Sequence, residues 1–137
     1  MTQTILIVDD DDVFRSGLAC LLDDADFSTY AANNGRAAMS VLKEKGDEIN
    51  LVITDVIMPQ MDGIEFSRWV KEHYPSITIL AMSGGSRLTV KGTEKHYSYL
   101  STCLKLGYAQ DTIEKPFEVD EILDKIQHLL AEGARSK

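Results

Sequence analysis

The stretch Leu51-Val52-Ile53-Thr54-Asp55-Val56-Ile57-Met58-Pro59-Gln60-Met61-Asp62-Gly63 decides how this chain is read. It opens as a short run of strand formers that ends in one carboxylate, Asp55, and the chain is then broken at Pro59 and turned at Asp62-Gly63. An apolar run bounded in this way predicts a strand buried on both faces of a parallel sheet, and in open parallel sheets ligands sit beyond the carboxyl ends of the strands. Asp55 is at that end. An aspartate after a strand is most often a turn former or a helix cap, so the stretch gains meaning only from a second one like it.

That second stretch is Ile5-Leu6-Ile7-Val8-Asp9-Asp10-Asp11-Asp12. Here too an apolar run of strand length ends in acid. If the two runs are neighbouring parallel strands, their carboxyl ends share an edge about 4.8 Å apart, and Asp9, Asp10 and Asp55 converge. Carboxylates so close repel one another, and a hard divalent cation with oxygen ligands is the usual remedy. Mg2+ is the natural candidate, because it takes one or two carboxylates, keeps several waters and leaves room for a phosphate oxygen.

Working outward, strand-like runs at Thr4–Val8, 27–31, 51–54, 78–82 and Asp111–Glu114 alternate with helical patterns. This predicts an α/β fold, a doubly wound five-stranded parallel sheet with helices on both faces reached by right-handed crossovers. The first helix is expected from about Asp12, packing through Phe14, Leu18, Leu21 and Leu22, with an acidic start that suits the helix dipole. Asn34 is the expected cap of the second, whose stripe is Ala37, Ala38, Val41 and Leu42 and whose end is Lys43-Glu44-Lys45-Gly46. Phe66, Trp69 and Val70 form the buried side of the third, which Tyr74-Pro75 stops. In the last helix Val119, Ile122, Leu123, Ile126, Leu129 and Leu130 follow i, i+3, i+4, i+7 spacing.

Taken in order, Val8-Asp9-Asp10, Asp55 with Met58-Pro59 and Met61-Asp62-Gly63, Ala81-Met82-Ser83-Gly84, and Glu114-Lys115-Pro116-Phe117 resemble the receiver domain of bacterial two-component response regulators. The resemblance covers residues 4–130. It implies the flavodoxin-like receiver fold, with Asp55 as phosphoacceptor and with Asp9, Asp10, Asp55 and the backbone carbonyl of Ile57 around Mg2+. It also implies that Ser83 and Lys115 contact the phosphoryl group and that the Lys115-Pro116 peptide is cis. A sensor histidine kinase or a phosphotransfer protein is the implied donor, and the aspartyl phosphate would shift the conformation to control an output protein that the sequence does not identify. The chain would not be an enzyme beyond assisting its own phosphorylation and dephosphorylation, and would be a monomer or weak homodimer.

The chain departs from the family between Ser83 and Lys115, where about ten residues exceed ordinary element and loop lengths. The surplus falls at 84–95, read as an enlarged loop before a helix over 96–106, and Arg87 in it is placed to visit the phosphorylated site. Thr112 stands three places before the lysine, where the family commonly has an aromatic residue, and Tyr108 stands seven places before it, where a glycine is usual. The signal is therefore expected to pass through the loop and its helix, with Tyr97, Tyr99 or Tyr108 taking part. Ile57 and Gly85, each two places beyond Asp55 and Ser83, offer no side-chain hydrogen bond to an attacking water, which predicts slow loss of phosphate, while Gly84 leaves the phosphoryl group room to enter.

With 137 residues, 44% of them hydrophobic, the chain is read as one domain over 1–137 with its own core and a polar tail at 131–137. A net charge of −8 repels polyanions, which argues against direct nucleic-acid binding. No apolar run fits a bilayer span or a signal peptide, so no membrane contact and a cytoplasmic location are expected for a stand-alone receiver. Cys20 and Cys103 read as small buried thiols, and His73, His96 and His128 are scattered without metal-ligand spacing. Two other functions remain open on the residues alone. A Mg2+-dependent phosphatase of the haloacid dehalogenase type would need a second aspartate where Ile57 stands. A flavodoxin-like binding module that never turns over phosphate would have no use for Ser83 and Lys115 beside the acids.

Overall fold

Alternate residues of a strand face opposite ways, so a central strand that is apolar at every position must be covered on both sides. The computed structural model, which describes residues 2–55, 63–83 and 107–136, shows this arrangement. Strands β1 (Thr4–Val8), β2 (Ser28–Ala32), β3 (Leu51–Asp55), β4 (Thr78–Ser83) and β5 (Asp111–Glu114) form one sheet, all parallel, in the order β2-β1-β3-β4-β5. Every residue of β3 is buried. The described helices are α1 (Asp12–Asp24), α2 (Gly35–Lys45), α3 (Gly63–His73) and the C-terminal Val119–Ser136, called α4 here.

The two cores divide by strand parity. Leu6, Val8, Val52, Ile79 and Ala81 pack against Ala38 and Leu42 of α2 and Phe66 and Val70 of α3. Ile5, Ile7, Ile53, Leu80, Met82 and Ile113 pack on the other face against Leu18 and Leu22 of α1 and Ile122, Ile126 and Leu129 of α4. Each of the larger side chains among them contributes about 1.5–3 kcal/mol when removed from water. A one-residue slip in any strand would turn its apolar set from one core to the other, which is what fixes the register.

Local chemistry sets most of the boundaries. Asp11 caps α1, its Oδ1 accepting from the Phe14 N–H at 3.1 Å, and Asn34 caps α2, accepting from the Ala37 N–H at 2.8 Å. The second strand starts at Ser28 rather than Phe27, because the Phe27 N–H donates back to the Leu22 carbonyl at 3.0 Å and so closes the end of α1. Gly46 follows α2 with φ −54, so it is not there for a left-handed turn. It is there for space: a Cβ would lie 2.5 Å from the Leu42 carbonyl oxygen and 2.6 Å from the Tyr74 ring.

Several expectations are corrected. The polar tail expected at 131–137 continues α4 as far as Ser136, since nothing in Ala131-Glu132-Gly133 breaks a helix outright. Val119 is 50% exposed, because it sits in the first turn, ahead of the point where Ile122 meets the sheet. Cys20 is exposed rather than buried, on the side of α1 away from Leu18 and Leu22. Trp69, by contrast, packs against the core as expected, half-buried, stacked on His73 with ring centroids 4.6 Å apart and tilted to Tyr74 at 5.7 Å. The loop at 84–95 with Arg87, the helix over 96–106 with Tyr97 and Tyr99, and Cys103 lie outside the described residues.

Candidate functional site

Parity explains why distant residues meet. Asp9 continues the series Ile5, Ile7; Asp55 continues Leu51, Ile53; Lys115 continues Ile113. All three therefore emerge on the α1 and α4 side, at the carboxyl edge of the sheet. The registers Val8↔Thr54, Asp55↔Met82 and Ser83↔Glu114 bring the strand ends level.

The side chains converge as expected. One oxygen from each of Asp9, Asp10 and Asp55 lies within 4.8 Å of the others, with Asp9 and Asp55 buried and Asp10 exposed. The Lys115 Nζ donates to Asp9 Oδ2 at 2.5 Å and to Asp55 Oδ2 at 3.4 Å, with the lysine side chain 12% exposed. Asp9 Oδ1 accepts the Asp11 N–H at 2.9 Å, which aims the carboxylate along the rim. The Lys115-Pro116 peptide is cis. Ser83 ends β4 beside Glu114 in the register. Ile57 and the Ser83 side chain lie outside the described positions.

The donor set fits a hard divalent cation. All the converging atoms are carboxylate oxygens within 4.8 Å of one another, the ligand type that a hard divalent ion such as Mg2+ takes. Three carboxylates against the one ammonium of Lys115 also leave two negative charges, the amount a divalent ion balances.

Two groups at the site were not singled out in the sequence. Arg15 donates from one guanidinium nitrogen to the Asp9 carbonyl at 2.7 Å and from the other to Asp12 Oδ1 at 2.5 Å. Its signal was present, since a cation in the first turn of a helix opposes the dipole and so needs a local partner. Phe14, read as core, is half-buried with its ring 4.1 Å from the Lys115 Nζ. That contact joins residues 101 positions apart and has no local signature.

The site is thus an acidic pocket at the carboxyl edge of a parallel α/β sheet, with a lysine bound to the aspartate that ends the central strand. Residues 5–127 match the response regulator receiver domain, and the chain belongs to that family. It is 30% identical over 131 residues to the transcriptional regulatory protein SrrA of Staphylococcus aureus, a match covering 95% of this chain and 48% of that one. It is 27% identical over 129 residues to the sensor kinase CckA of Brucella abortus, covering 94% of this chain and 13% of that one. The chain thus spans from about an eighth to about a half of the length of these two relatives. A receiver domain protein of Clostridium thermocellum shares the fold, with a TM-score of 0.85 at 19% identity over 98% of this chain and 99% of that one. The protein is a receiver domain of two-component signalling. No helix among the described residues is long and apolar enough to cross a membrane.

Proposed function

We propose that Asp55 is the phosphoacceptor of this receiver and that Lys115 and Ser83 meet the phosphoryl group once it is in place. The observation that carries this is the Lys115 ammonium bridging the buried carboxylates of Asp9 and Asp55 beside Asp10. A carboxylate oxygen of Asp55 attacks phosphorus, the bond from phosphorus to the donor's leaving group breaks, and the leaving group carries off that electron pair. The product is a mixed anhydride. Such transfers depend mainly on alignment and on neutralising charge at the equatorial oxygens, and Lys115 supplies one positive charge at that place. Asp9, Asp10, Asp55 and the Ile57 carbonyl would hold Mg2+, which supplies the rest of the neutralisation when bound.

On this reading the donor is a sensor histidine kinase or phosphotransfer protein in the cytoplasm, and the output is a change of contacts with a partner protein. The chain assists its own slow dephosphorylation and otherwise turns nothing over. The test is incubation with Mg2+ and acetyl phosphate followed by intact mass. One added phosphoryl group on the wild type and none on Asp55→Asn is the expected result; equal uptake by both would place the acceptor elsewhere.

A further inference from the structure

The Lys115 ammonium has a partner that is not an acid. Its Nζ lies 4.1 Å from the centroid of the Phe14 ring. That ring is in turn braced by Phe117, two residues past the lysine, with centroids 5.8 Å apart and planes at 83°. Phe14 thus sits in the first turn of α1, its edge or face set by one aromatic neighbour and its π-system turned to the cation. A residue needed only to fill this part of the core would not have to be aromatic, since leucine or methionine occupies similar volume.

We propose that Phe14 is a positioning residue for Lys115, holding the ammonium at the rim by a cation–π contact so that it meets the phosphoryl group. The inference rests on the reading of Lys115 given above and deepens it. The argument turns on which partners can be taken away. Asp9 and Asp55 both belong to the set that would hold a divalent ion, and an ion there shares their charge and repels a neighbouring ammonium. The ring is neutral and offers no oxygen, so it keeps its hold under every occupancy of the acids. Attraction between a cation and an aromatic face strengthens as water is excluded, and the Lys115 side chain is only 12% exposed.

The test separates ring electronics from ring shape. Phe14→Leu keeps an apolar side chain of similar bulk, whereas Phe14→Tyr keeps the aromatic face. With Mg2+ and acetyl phosphate, the rate of phosphoryl uptake by intact mass should fall about tenfold in Phe14→Leu, the kinetic equivalent of a desolvated cation–π contact, and stay within about twofold of wild type in Phe14→Tyr. A second readout needs neither metal nor donor. In the metal-free proteins, the ε-methylene protons of Lys115 should show an upfield ring-current shift in wild type and Phe14→Tyr that is lost in Phe14→Leu. Urea unfolding identifies any variant that does not fold, and the remaining variant and the ring-current shift then decide. Wild-type rates in a folded Phe14→Leu, or equal losses in the leucine and tyrosine variants, would overturn this inference alone. A wild-type chain that took up no phosphoryl group would overturn the functional reading and this inference with it.

Discussion

Lys115 stands between two carboxylates that are buried with it, and the charge around it decides what each substitution at the site does. Replacing the lysine by an isosteric apolar residue leaves Asp9 and Asp55 facing each other at low exposure, and removing one partner of a buried ion pair typically costs about 3 kcal/mol or more. Lys115→Met is therefore expected to unfold at lower urea than wild type by about 3 kcal/mol in the absence of metal, and to recover most of that loss in millimolar Mg2+, because a divalent ion replaces the missing charge. Equal losses with and without Mg2+ would mean that the acids do not bind the ion. Asp10 is exposed and shares the cluster, so Asp10→Asn should have the opposite signature: no loss of metal-free stability, and a Mg2+ affinity at least about tenfold weaker by calorimetry, as expected when one of three anionic ligands is removed. A third residue lies away from this charge balance. Ser67, fully buried in α3, has a hydroxyl without a hydrogen-bond partner among the described residues. Ser67→Ala should raise stability by about 1 kcal/mol, because an unsatisfied buried polar group carries its desolvation cost uncompensated; a loss of stability would show that the hydroxyl is satisfied in solution.

At the scale of elements, the end of α2 gives a case where propensity and packing predict opposite signs. Gly46 has a helical φ, and by propensity alone alanine there would stabilise by up to about 1 kcal/mol. The added Cβ, however, meets a backbone oxygen at 2.5 Å and the Tyr74 ring at 2.6 Å, and the backbone atom cannot step aside. Gly46→Ala is expected to destabilise by about 1–3 kcal/mol, the range for forced overpacking, and thermal unfolding reads the sign directly. The same helix shows how far elements could be read from sequence. Its start was legible because the cap is local: Asn34 reaches the Ala37 N–H three residues on. Its end was legible as a boundary but not as a packing site, because the Tyr74 ring that closes on Gly46 beside the Leu42 carbonyl is 28 positions away. Cys20 was misplaced because the α1 pattern fixes a stripe through Leu18 and Leu22 but small residues beside it carry no signal of their own. The acidic pocket was legible because strands alternate, so Asp9, Asp55 and Lys115 follow their buried predecessors onto one face. The Phe14–Lys115 contact was not, because α1 and β5 touch only in the folded chain.

Across the whole molecule, the net charge of −8 is not spread evenly. Exposed Asp10, Asp11 and Asp12 follow β1, and exposed Glu114, Glu118, Asp120 and Glu121 flank the end of β5 and the start of α4. The parallel topology brings both groups to the carboxyl edge of the sheet, the edge that holds Asp55. Among the described residues, Lys115 and Arg15 there are largely buried and already engaged with Asp9, Asp55 and Asp12, and Arg36 is exposed in the first turn of α2. The exposed acids after β1 and around β5 set a negative field on that part of the rim, and an anionic donor that passes it meets attraction only at the final contact. These two effects predict opposite responses to salt. If local attraction governed the encounter, screening would slow phosphorylation; if the rim governs it, screening speeds it, because exposed charges are screened beyond about 10 Å at 0.1 M salt while buried pairs are screened far less. We expect the rim to win. At saturating Mg2+, uptake from acetyl phosphate, a dianion, should rise several-fold between about 10 mM and 100 mM ionic strength, as the Debye length falls from about 30 to about 10 Å. Uptake from phosphoramidate, which carries less charge, should rise less. The double variant Glu118→Gln, Glu121→Gln should start faster at low salt and respond more weakly, since part of the repulsion is already gone. A rate that falls with salt for acetyl phosphate, in wild type and variant alike, would show that the pocket's own cations set the encounter and that the acidic rim is bystander charge.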